Sequence, residues 1–64
     1  MDEISPSRLK AAVTKRVEVL AFGISYVGTL KVVDAKNGLI RIVDKDDYVV
    51  LEIERIETFR ILSR

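Results

Sequence analysis

Between Arg16 and Leu62 the chain is cut into short β-branched runs whose breaks are too brief for anything but tight turns. RVEVLAF (16–22) stops at Gly23, and SYVGTLKVVD (25–34) ends at AKNG. LIRIVD (39–44) ends at KDD, YVVLEIE (48–54) at Arg55, and IETFRIL (56–62) closes the series. Alternation sets Val17, Val19 and Ala21 on one side of the first run and Glu18 on the other, the period of a half-buried strand. Parallel neighbours need crossovers of a dozen or more residues, so connections this short imply antiparallel hairpins. Ahead of the runs, SPSRLKAAVTK reads as a helix over residues 5–14. Ser5 is its cap, Pro6 occupies the first helical position, and Leu9, Ala12 and Val13 share one face. The first four residues are expected to fray. The fold expected is mainly β: one domain over 1–64, with a short N-terminal helix followed by a five-stranded, strongly bent antiparallel barrel over 16–62.

Gly28 interrupts the second run. Glycine weakens a strand interior unless the sheet bends sharply or another backbone comes close. A long second strand that serves both halves of a barrel needs such a bend, and Gly28 is its hinge. Gly23 and Gly38 fall at turns, Gly38 after Asn37 in a pair that suits positive φ.

The chain has 64 residues, no cysteine and no histidine. A domain this small is marginal alone, and small domains gain burial from disulfides, metals or oligomerisation. Disulfides and thiolate or imidazole metal sites are excluded, so self-association is the expectation. It fits the apolar residues on both faces of two strands: Leu39, Ile40, Ile42 and Val43, then Val49, Val50, Leu51 and Ile53. The formal charge of +1 provides no whole-molecule basic field, so nucleic acid would need a local site. No apolar run has the length of a membrane span, and lack of cysteine is compatible with a reducing cytosol, making cytoplasmic placement the expectation.

Catalysis has little to draw on: no histidine, cysteine or phosphate-binding glycine loop is present, and the hydroxyl residues have no evident base partner. No enzyme activity, cofactor or metal is expected. Asp44, Asp46 and Asp47 resemble a fragment of a calcium loop but lack its glycine and closing glutamate, and read as a solvated turn. Arg8, Lys10, Lys15 and Arg16 read either as a solvated helix face or as a basic face for phosphates. Tyr26, Tyr48, Phe22 and Phe59 read as core or interface residues.

The stretch VEVLAFGISYVGTLKVVDAKNGLIRI resembles the first signature motif of the Sm-like (LSm) family of SH3-like barrels. The matching positions are Val17, Val19, Gly23, Tyr26, Gly28, Leu30, Asp34 and Asn37, and the layout of helix then five strands agrees. The resemblance implies a homo-oligomeric ring made by pairing the fourth strand of one copy with the fifth of the next. It also implies single-stranded RNA binding at the loop after the second strand. There Asp34 would orient the loop, Asn37 would bond a base edge, and Lys36 stands at the stacking position. Arg55 stands near the family's second motif. The chain departs from the pattern in three places: Asn37 comes one residue early, Lys36 is not aromatic, and Arg55 follows Glu54 with no glycine after it. These departures keep open an alternative, a protein-interaction or assembly module on the same barrel without the RNA slot.

Overall fold

The computed structural model describes residues 5–62, so the reading of residues 1–4 lies outside the described residues. Helix α1 spans Pro6–Ala11, followed by β1 (Arg16–Ala21), β2 (Ile24–Asp34), β3 (Leu39–Asp44) and β4 (Asp47–Glu52). A single 3-10 turn, Ile53–Arg55, then leads into β5 (Ile56–Ile61). The strands form one antiparallel sheet in the order β4-β3-β2-β1-β5. A flat sheet would be far thinner than it is wide. Sheet and helix together measure 29 × 24 × 23 Å, nearly equal in all directions, and the sheet is curled on itself. The expected fold, mainly β with five antiparallel strands and a short helix, is the fold observed.

The curl originates in β2. Its first half, Ile24 to Thr29, pairs with β1, and its second half, Thr29 to Asp34, pairs with β3. The two sets of partners overlap at Thr29, and the β2–β3 register shifts between Leu30 and Val32. Gly28 stands beside this handover. A Cβ added there would lie 2.7 Å from Ile42 Cγ2 and 2.7 Å from the Val43 carbonyl oxygen. Gly28 therefore permits a close backbone approach as well as a bend.

Alternation in β1 buries Val17, Val19 and Ala21. They join Leu30, Ile40, Ile42, Leu51 and Ile56 in the core, which Leu9 and Ala12 complete from the helix side. Leu9 of α1 and Ala12 just past its end thus cover part of the sheet. Of the apolar residues on both faces of β3 and β4, Ile40, Ile42 and Leu51 are buried, whereas Val50 remains 46% exposed.

Two boundaries differ from the sequence reading by more than one residue. The helix was expected to reach residue 14 and ends at Ala11. Past it the amides of Ala12, Val13 and Lys15 each donate to a carbonyl three residues back, while Thr14, at φ 79°, donates to the Leu30 carbonyl at 2.7 Å. Leu30 N–H donates in turn to the Lys15 carbonyl. Docking on β2 thus takes the backbone groups that a longer helix would use. Similarly, β4 ends at Glu52, because Ile53–Arg55 must carry the chain from one margin of the sheet to the other.

Gly28→Ala should destabilise the fold by about 1–3 kcal/mol, the usual cost of overpacking a filled site. Gly38→Ala, at φ +69° with nothing within 4 Å of its added Cβ, should lose only the left-handed strain of about 1–2 kcal/mol. Urea unfolding measures both, and a neutral Gly28→Ala would contradict the close approach.

Candidate functional site

The four-residue turn from Ala35 to Gly38 joins β2 to β3, closed by the pair Asp34 and Leu39. Asp34 organises it. The Asn37 backbone N–H donates to Asp34 Oδ1 at 3.2 Å, and the Asn37 side-chain amide donates to Asp34 Oδ2 at 2.8 Å. An ionised carboxylate only accepts hydrogen bonds, so it draws the Asn37 nitrogen inward and leaves Oδ1 as the side-chain atom to accept from a ligand. These bonds favour the charged form and hold the Asp34 carboxyl below its ordinary value, the Asn37 side-chain contact contributing most. The sequence reading gave Asn37 and Gly38 a shared positive-φ turn. Only Gly38 has positive φ, since Asn37 is fixed through its side chain and backbone N–H instead.

The turn does not stand alone. Ile53 N–H donates to the Gly38 carbonyl at 2.7 Å, joining the β2–β3 turn to the β4–β5 connection. A cleft of about 570 Å³ opens at this junction, lined by Lys36, Asn37 and Gly38 on one side and by Glu52, Ile53 and Glu54 on the other. Pro6, at the start of α1, and Ala35 complete it. Among the described residues, the side-chain charge on its walls is one cation, Lys36, against two carboxylates, Glu52 and Glu54. The cleft therefore seeks hydrogen-bond donors more than phosphates.

Lys36 and Asn37 are thus brought together, with Asp34 behind them. Arg55 is not among the residues lining the cleft. Its Nε donates to Glu52 Oε1 at 3.2 Å, and its guanidinium lies 6.0 Å from the centre of the Phe22 ring. Both partners of that ion pair are more than half exposed, so the pair adds little stability. Its effect is to tie one of the cleft's two carboxylates.

Of the aromatic residues read as core or interface, Tyr26 and Phe59 pack against the core. Phe22 and Tyr48 do not, being 61% and 65% exposed. Phe22 occupies the first turn position of the β1–β2 hairpin at φ 57°, followed by Gly23 at φ 70°. The sequence signal was the dipeptide Phe22-Gly23, which puts an aromatic where a two-residue turn favours asparagine. Asp44, Asp46 and Asp47 form an exposed turn, and no metal-holding cluster occurs among the described residues. No helix among the described residues is long and apolar enough to cross a membrane.

Because the folded pKa of Asp34 is lowered, its contribution to stability is present above the ordinary aspartate value and fades as pH falls through the lowered one. Unfolding of wild type and Asp34→Asn, compared from pH 6 down to pH 2, should show the difference between them shrink in that window. A difference independent of pH would mean that the charge of Asp34 is irrelevant to the turn. NMR should also show the Asn37 side-chain amide protons shifting as Asp34 titrates.

No protein-family model, no curated protein and no solved structure matches this chain, so the reading of the site rests on its own residues.

Proposed function

We propose that this chain is an Sm-like subunit that self-associates into a ring and contacts single-stranded RNA at the cleft between the β2–β3 turn and the β4–β5 connection. The observation that carries the RNA reading is Asn37 held by Asp34 at the wall of that cleft, with one side-chain acceptor left for a base edge. Uracil and guanine each carry a ring N–H that suits such an acceptor. The fit is to a base rather than to the backbone, since Lys36 is the single cation on the cleft walls among the described residues.

Support for self-association is separate. β4 and β5 are the outer strands of the sheet, each hydrogen-bonded to one neighbour among the described residues. Unpaired edges invite a further strand. Apolar side chains lie exposed along both: Tyr48 and Val50 on β4, Ile61 at the end of β5 and Leu62 just beyond. Joining β4 of one copy to β5 of another satisfies both edges, and repetition of such a head-to-tail contact closes a ring when the rotation allows.

One observation favours a second reading, a barrel that assembles or binds proteins without RNA. Glu52 and Glu54 line the cleft and oppose an approaching phosphate. Light scattering followed by fluorescence anisotropy with uridine-rich and adenosine-rich oligonucleotides at two salt concentrations separates the readings. The RNA reading predicts an oligomer whose affinity varies only weakly with salt, because few phosphates are neutralised. Asn37→Ala should lose about 1 kcal/mol of binding, one hydrogen bond's worth, with oligomer size unchanged. An oligomer without oligonucleotide affinity would establish the second reading, and a monomer would refute the ring.

A further inference from the structure

We propose that Phe22 is a stacking platform for a nucleobase beside the cleft, supplying the aromatic face that Lys36 does not; this rests on the single-stranded RNA reading. Phe22 breaks two local rules at once. Phe22 has φ 57°, in the left-handed region that suits Gly, Asn and Asp. Its ring is also 61% exposed, so it returns little burial to the fold. Asparagine would serve this two-residue turn better on both counts. Strain and exposure together at one position point to a use outside folding.

Its surroundings say what that use is. Gly23 N–H reaches Glu57 Oε2 at 3.4 Å, which ties the turn to β5. The Arg55 guanidinium stands 6.0 Å from the ring centre, and Arg55 Nε holds Glu52, a wall of the cleft, at 3.2 Å. Phe22 is therefore linked through one arginine to the cleft that Asn37 borders. An apolar protein partner covering the ring would have to desolvate Arg55 beside it and Glu57 against the same turn, at a penalty. A base brings a flat face for the ring and polar edges for those charges, and stacking on an aromatic tolerates every base. One base on Phe22 with its neighbour in the cleft gives the strand two successive contacts, the first by stacking and the second by a hydrogen bond to Asn37.

The test uses the full chain. Phe22→Asn should raise the thermal midpoint, because the turn prefers asparagine, while weakening oligonucleotide binding roughly five- to 150-fold, the range for loss of one stacked base. Oligomer size should not change. Phe22→Trp should retain affinity and, as the chain has no other tryptophan, report stacking directly. Its fluorescence should be quenched saturably, with the same midpoint as anisotropy. Full affinity in Phe22→Asn, with Phe22→Trp emission unaltered by bound oligonucleotide, would overturn the platform and leave the RNA reading standing. Absence of binding by the wild type would overturn both. An altered oligomer size in Phe22→Asn would mean that a neighbouring copy covers the ring, which also overturns the proposal.

Discussion

The structure depends on how closely the β3 backbone crosses Gly28. Any side chain there would meet the Val43 carbonyl and Ile42 Cγ2 at 2.7 Å, well inside normal contact. Because that space is empty, β2 can leave β1 and take up β3 within a residue or two, and the sheet curls instead of lying flat. Curling turns the inner faces of the strands into a shared core, which α1 completes with Leu9 and Ala12. A chain of 64 residues cannot afford a second layer, so one bent sheet has to provide nearly all of its burial.

The same bend sets up the candidate site. It carries the β2–β3 turn to the 3-10 turn that links the outer strands, where the Gly38 carbonyl accepts from Ile53. The β1–β2 turn reaches the other end of that 3-10 segment, where Phe22 meets Arg55. Two turns well separated in sequence thus meet the three residues Ile53–Arg55. Among the described residues, the cleft there is lined by two carboxylates, Glu52 and Glu54, against one cation, Lys36. A ligand is favoured there through donors and flat faces more than through phosphate charge.

Strand existence, strand order along the chain and the hinge at Gly28 were legible because they are written in local alternation and in breaks of a few residues. The β3 boundaries, Leu39 to Asp44, agree with the sequence reading for this reason. The end of α1 was not legible, since Leu30 decides it from sixteen residues beyond Thr14 by competing for the amides and carbonyls of Thr14 and Lys15. Nor was the end of β4, where an apolar Ile53 continues the pattern while its N–H bonds across to Gly38. At the site, Asp34 and Asn37 were recognisable as a pair by spacing. That Asn37 is held by its side chain rather than by positive φ required the hydrogen bonds themselves. Arg55 entered the reading through the family's second motif, and the structure bonds it to Glu52 at the edge of the cleft without placing it among the lining residues. The exposure of Phe22 was hidden because a hydrophobic residue ending an alternating run reads as core or interface.

The curled sheet leaves β4 and β5 as outer strands, the edges at which the proposed self-association joins copies. Residue-resolved amide hydrogen exchange, followed across protein concentration, tests this most directly. The account predicts that the outward N–H groups of Asp47–Glu52 and Ile56–Ile61 become protected together as concentration rises, while the Ala35–Gly38 turn does not change. Rapid exchange along both edges at every concentration would contradict it.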